Sequence, residues 1–191
     1  MTKPYTEEKD RQTFLIALFH EYSQLSNGDK ASIRRTVEPD DLQMNPVFYR
    51  LIQQTIANFK EQENKKARVF FDNLSSVSRL VYFLPFIQNQ PNGKSLGALL
   101  KEKNISERRL FLVMRSDYPE DLKHLRRLCQ QFKEERIDGI ASGKLLFYWG
   151  NRDKNGVERS KRDLMRDFYL SKPEEKTIVG PDRFLKPVRS N

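Results

Sequence analysis

NISERRLFLVMRSDYPEDLKHLRRLCQQFKEER, residues 104–136, reads as two consecutive helices, each with an apolar face and a cationic face. Leu122, Leu125, Leu128, Cys129 and Phe132 recur at three- and four-residue spacing, the period that gathers side chains on one side of a helix. Ser116-Asp117-Tyr118-Pro119 breaks the run and restarts it, and Pro119, Glu120 and Asp121 suit a first turn, where acids favour the helix dipole. Asn104 and Glu107 have the spacing of a capping box for the first of the two helices. Arg108, Arg109 and Arg115 fall on that helix; Lys123, Arg126 and Arg127 fall on the second. No acid stands four residues after any of these arginines, where it would pair along a helix; Leu112, Val113, Pro119, Gln130 and Gln131 occupy those positions. Two readings follow: a solvated charged surface, or a face that binds phosphate.

The same period extends in both directions. From Arg11, the positions Phe14, Leu15, Leu18, Phe19, Tyr22 and Leu25 predict an amphipathic helix, with Asn27-Gly28 as its stop and Asp29 as N-cap of a short basic helix carrying Lys30, Arg34 and Arg35. VEPDDLQM reads as a loop, and Asn45-Pro46 as a helix start ahead of the stripe Val47, Phe48, Leu51, Ile52, Thr55, Ile56 and Phe59. A further helix is expected from about Lys66 to Ile87, containing Phe70, Phe71, Leu74, Val77, Leu80, Val81 and Leu84, with Pro85 kinking or ending it. QNQPNGK, residues 88–94, concentrates boundary residues. Beyond it, Ser95 caps SLGALLKEK, and Asp138 caps a helix with Leu145, Leu146, Tyr148 and Trp149 that Gly150 ends. NRDKNG is a basic turn ahead of VERSKRDLMRDFYL, whose apolar set is Val157, Leu164, Met165, Phe168 and Tyr169. No stretch alternates with period two long enough to suggest a strand. The expected class is all-α: two small antiparallel bundles packed together, about eight or nine helices, over residues 11–88 and 95–170, with an extended or disordered tail at 171–191.

The bulk numbers narrow the function. The chain has 191 residues, 32% charged and 37% hydrophobic, with a formal net charge of +9 and pI near 9.6. That balance favours polyanionic partners. A single cysteine, Cys129, rules out an internal disulfide and a cysteine metal cluster. No signal-peptide core and no run of roughly 20 apolar residues is present, so the expected setting is the reducing cytoplasm, with no membrane. The only histidines, His20 and His124, lack zinc-spaced companions; His20 reads as a core or boundary residue, His124 as one facing solvent or phosphate. No Gly-rich nucleotide loop occurs, and the acid pairs Asp40-Asp41 and Glu134-Glu135 suit turns and surfaces better than a metal site. No catalytic residue, metal site or cofactor is indicated. Most aromatic residues lie in register with helix stripes; Tyr148 and Trp149, ahead of a basic turn, are the ones kept as candidate base-stacking residues.

What remains is cations grouped on separate helices: Lys30, Arg34, Arg35; Arg108, Arg109, Arg115; Lys123, Arg126, Arg127; and Arg152, Lys154, Arg159, Lys161, Arg162, Arg166. Such an array fits a groove following a phosphate backbone, where counterion release drives binding without base readout. Arginine suits phosphate through its bidentate fork. A helical protein-interaction scaffold and a stand-alone helical DNA-binding regulator are the alternatives.

Taken in order, NGDKASIRRT, FYRLI, SLGALL, ISERRLFLVMRSD, HLRRL and KRDLMRDFYL resemble the CasB family, the small subunit of the Cascade surveillance complex of type I-E CRISPR systems. The likeness runs from about residue 11 to about 170. It implies an all-α protein of two bundles with no enzymatic activity and no cofactor. It also implies pairing with a second copy beside the backbone and large subunits that hold guide RNA, and a role in holding single-stranded or R-loop DNA. Carried over, the binding candidates are Lys30, Arg34 and Arg35; Arg108 and Arg109; Arg126 and Arg127; and Lys161, Arg162 and Arg166. Lys30 stands where the family commonly has arginine, Phe70-Phe71 is bulkier than the resemblance implies, and the tail beyond Ser171 is additional.

Overall fold

The computed structural model describes residues 4–58, 73–132, 136–152, 156 and 158–171; Phe59, Phe70, Phe71, Glu134, Glu135, Lys154, Val157 and the tail from 172 lie outside them. Among the described residues nine α-helices are present: α1 (Pro4–Gln24), α2 (Asn27–Arg35), α3 (Pro46–Ala57), α4 (Leu74–Phe83), α5 (Leu96–Glu102), α6 (Glu107–Arg115), α7 (Glu120–Cys129), α8 (Gly139–Phe147) and α9 (Arg159–Leu170). Short 3-10 turns at Pro39–Met44, Leu84–Phe86 and Gln130–Phe132 join them. The protein is mostly helical, as the apolar period requires.

Several boundaries differ from expectation for local reasons. α2 starts two residues before Asp29: the Ser26 hydroxyl accepts the Asp29 N–H at 3.1 Å, so Ser26 is the N-cap and Gly28 lies within the first turn. Residues 39–44 form a 3-10 turn rather than a loop, because Asp41 accepts the Glu38 N–H at 3.0 Å in a capping box and Pro39 is buried beneath it. α6 is capped from Ser106, not Asn104, which instead takes a left-handed turn at φ 55°. Asn45, Ser95 and Asp138 do cap their helices through side-chain oxygens.

One small sheet is present where only helices were expected. β1 (Gln88–Lys94) pairs in parallel with β2 (Arg136–Ile137), matching Gln88 with Arg136 and Asn89 with Ile137 before the register shifts. Gly93 permits this: a Cβ there would lie 2.9 Å from both Ile137 C and Asp138 N. The boundary segment is therefore drawn against the chain, and Asn89 Oδ1 accepts the Gly139 N–H at 3.0 Å, fastening it to the start of α8.

The core is one hydrophobic cluster running from Phe14 on α1 to Phe168 on α9, and segments 11–88 and 95–170 both contribute to it. α4 is buried on most of its surface, with Val77, Leu80, Val81 and Phe83 fully covered, and packs on the 39–44 turn, α2 and α8. α1 lies on α3 and α8, α5 on α9, and α6 on α7. Cys129 is fully buried, and burial pushes its thiol up to about 12.

Candidate nucleic-acid interface

The candidate cations divide by what surrounds them. Arg126 is 5% exposed and belongs to the interior. Its Nη1 donates to the Thr36 carbonyl at 2.5 Å and its Nη2 to the Arg34 carbonyl, both at the carboxyl end of α2. Its guanidinium carbon lies 3.9 Å from the Tyr82 ring centre and 4.9 Å from that of Phe86. A cation at a helix C-terminus is favourably placed against the dipole. Arg126 thus corrects the surface reading: it bolts α2 onto α7 and α4. Lys161 is the second correction, 8% exposed. Its amine lies 3.0 Å from Asp121 Oδ2 and 3.1 Å from Glu158 Oε2, and donates to the Ser116 carbonyl at 2.9 Å. Asp121, 2% exposed, also accepts the Trp149 Nε1–H at 2.8 Å. Trp149 is fully buried by this network and offers no stacking platform.

Other candidates are on the surface but neutralised. Lys123 meets Glu38 at 2.6 Å and Glu120 at 2.7 Å, and its hydrogen bonds to Glu120 and Glu38 hold the ammonium well above the usual lysine range. Arg166 pairs with Asp163 at 3.0 Å and Asp167 at 3.1 Å, and Arg152 with Glu158 at 3.4 Å. Arg162 is exposed on α9 beside them.

A third group is exposed and makes no ion pair among the described residues: Arg34, Arg35, Arg108, Arg109, Arg115, Arg127 and Arg159, with Glu120 near Arg127 and Asp163 sharing a groove with Arg159. Five of these are tied into a strip. Arg126 brings the end of α2, with Arg34 and Arg35, against α7, which carries Arg127 on its outer side. Gln131 Nε2 donates to the Arg127 carbonyl at 3.1 Å, while Gln131 Oε1 accepts from Arg109 Nη1 at 2.9 Å, joining α6 with its Arg108 to the same strip. His124 Nδ1 lies 3.3 Å from Arg127 Nη1. Arg115, two turns from Arg108, continues the outer face of α6, with Phe111 and Leu112 half-exposed between them. Lys30 sits beyond Arg34, half-buried, donating to the Ser23 carbonyl at 2.7 Å.

No protein-family model matches the chain. The CRISPR system Cascade subunit CasB of Escherichia coli (strain K12) is 34% identical over 157 residues, which span 82% of this chain and 92% of that protein. The chain belongs to the CasB family. A crystal structure of E. coli Cascade bound to a PAM-containing double-stranded DNA target holds a chain that superposes with a TM-score of 0.60 at 34% identity, covering 81% of this chain and 93% of that one.

For this CasB-family chain, sequence reasoning placed Arg126 and Lys161 outward although the signal for the opposite was present. Leu122, Arg126 and Cys129 stand at i, i+4 and i+7, and Lys161, Leu164 and Phe168 at i, i+3 and i+7, so both cations are in register with apolar stripes. His20 is a further correction: its side chain is 65% exposed, not buried. Gln131, the link between α6 and α7, carries no charge, so nothing in the charge pattern marks it. Among the described residues no group of three or more His, Cys, Asp or Glu side chains gathers as a metal site, and no helix is long and apolar enough to cross a membrane.

Proposed function

We propose that the chain is a non-catalytic small subunit of an RNA-guided Cascade complex, holding a DNA strand of the R-loop by its phosphates along Arg34, Arg35, Arg127, Arg109 and Arg108. The observation that carries this reading is the buried Arg126. It spends its own charge on the carbonyl end of α2, which would otherwise repel phosphate, and by doing so holds Arg34 and Arg35 against α7 with Arg127, arginines that make no ion pair among the described residues. Paired cations elsewhere on the surface attract phosphate less, because the carboxylates beside them repel it. The relative's membership of Cascade, and the DNA target in the matched structure, support the same reading. Partners on this view are the backbone and large subunits with their guide RNA, R-loop DNA and a second copy of the chain, in the cytoplasm.

The outer face of α6 favours a share of protein contact within that assembly. Phe111 is 44% and Leu112 49% exposed between Arg108 and Arg115, a mixed apolar and cationic stripe suited to docking on another subunit. A double charge reversal, Arg35→Glu with Arg127→Glu, separates the roles. The assembled complex carrying it loses affinity for target DNA and its log–log salt slope falls by about 1.4, roughly 0.7 per phosphate contact of a single strand. An unchanged slope over a salt series excludes the strip as the DNA contact.

A further inference from the structure

Next to Arg34, at the α2 end of the strip, a cavity of about 620 Å³ opens between α1, α2 and the segment entering β1. Its chemistry differs from a bare phosphate track. Tyr22 and the half-exposed Ile16 give it apolar walls, Gln88 and Asn89 bring two amide side chains, and Lys30 and Arg34 supply cations; no carboxylate lines it. The elements are fixed. Asn89 is held by the Gly139 N–H, and Lys30 by the Ser23 carbonyl, which keeps its amine 6.0 Å from the Tyr22 ring centre. Burial pushes the Tyr22 phenol up to about 12, so that wall stays uncharged at neutral pH. A groove of about 590 Å³ between α8 and α9 lacks this character, since Asp163 and Asp167 line it.

We propose that this cavity receives one unpaired nucleotide of the DNA strand, its base between Ile16 and Tyr22 and its phosphate on Lys30 and Arg34. The proposal rests on the backbone-binding reading and adds a contact that reads the presence of a base. The volume lies within the range of small-ligand sites, roughly 300–1,000 Å³. Every base offers an apolar face to such walls, so the site needs no sequence preference. Gln88 presents a donor and an acceptor, and Asn89, whose Oδ1 is taken by the Gly139 N–H, presents its amide donors, a set that tolerates different base edges.

The test compares an oligodeoxythymidylate with an abasic strand of equal phosphate number, titrated against the full chain in its assembled complex. The thymidylate is expected to bind about tenfold more tightly, in line with the loss seen on removing one base-stacking contact. Ile16→Asn, neutral and at a half-exposed position, is expected to erase that margin while leaving the abasic affinity and the thermal midpoint unchanged; Gln88→Ala should narrow it. Equal affinity of the wild type for both strands overturns the nucleotide cavity and leaves the phosphate strip standing. Absence of salt-sensitive binding to either strand overturns the strip as well. A margin that persists in Ile16→Asn and Gln88→Ala places the base elsewhere and likewise overturns the proposal.

Discussion

Arg126 and Arg127 are sequence neighbours with opposite surroundings, and substituting them separately is the sharpest test of the site. In Arg126→Met the side-chain stem keeps its packing against Tyr82 and Phe86, but the hydrogen bonds to Thr36 O and Arg34 O are lost. Each hydrogen bond from a charged donor contributes about 1.5–3 kcal/mol, and a desolvated cation–π contact about 2 kcal/mol. Against these stands the relief of a buried ion's desolvation, several kcal/mol; Arg126 Nε, buried with no partner among the described residues, adds to that relief. The net loss is about 3 kcal/mol, which for a chain of 191 residues lowers the thermal midpoint by roughly 6–12 °C. Calorimetry reads this directly. Affinity for DNA, measured well below the midpoint, should fall through loosening of α2, but the salt slope should fall less than in Arg127→Ala, since Arg126 itself contacts no phosphate. Arg127→Ala should do the reverse: an unchanged midpoint and a slope smaller by about 0.7. An Arg126→Met protein with an unaltered midpoint and a reduced slope would refute the structural role assigned to this side chain.

Three further outcomes follow from the interior. Lys161→Met leaves the Asp121 carboxylate buried without a cation, held only by the Trp149 Nε1–H and the Leu122 N–H, and should cost about 3–5 kcal/mol, whereas adding Asp121→Asn should restore part of it; simple additivity in a double-mutant cycle of denaturant melts would show that the two groups do not interact. Gly97→Ala drives a Cβ to 2.7 Å from the Leu164 carbonyl and should destabilise by about 1–3 kcal/mol through separation of α5 from α9, whereas an unchanged urea midpoint would mean that the helices part freely. Cys129 is protonated in the fold up to about 12 but ionises near 9.0 when exposed, so the unfolded chain sheds its proton first. Its contribution is intact below pH 9 and is lost as pH rises from 9 towards 12; a Cys129→Ala protein should show a shallower alkaline decline, and native-state thiol titration at pH 8 should find no rapid reaction.

The helical class was legible because apolar residues at three- and four-residue spacing leave few alternatives, and because Asn45, Ser95 and Asp138 announce helix starts through local chemistry alone. The strand at 88–94 was not, since QNQPNGK has no alternating pattern. It is extended because Gly93 lets distant backbone from 137–138 approach, a non-local cause. The Ser26 cap was misplaced by three residues because Asp29 is an equally good capping residue in isolation; only the geometry shows that Asp29 instead meets Arg50 at 2.6 Å. At the site, charge and family likeness pointed to helices, but not to which of their cations are exposed and unpaired. Lys123 is neutralised by Glu38, which lies 85 residues earlier in the chain and shares no periodic relation with it.

The adjacent basic pairs gain a physical meaning from this. Successive residues on a helix point about 100° apart, so a pair at the edge of an apolar stripe sends one member inward and the other outward. In Arg126-Arg127 the first anchors α2 and the second faces solvent; in Lys161-Arg162 the first closes the Asp121 network and the second is exposed. Both members of Arg34-Arg35 are exposed, but Arg34 lends its carbonyl to Arg126, so that pair is held by the inward member of another. A chain with net charge +9 must keep mutually repelling cations in a common array. Anchoring one cation of a pair on carbonyls and a buried acid fixes the position of its neighbour without supplying a surface carboxylate that would compete with phosphate. On this argument the inward residues set the geometry and the outward ones make the contact, so replacing Arg126 with Lys, which retains charge but has no planar fork to span two carbonyls, should loosen the strip while conserving the net charge. Affinity for DNA lost in Arg126→Lys at constant net charge would support this division of labour, and affinity fully retained in a protein of lowered stability would confine Arg126 to holding the fold.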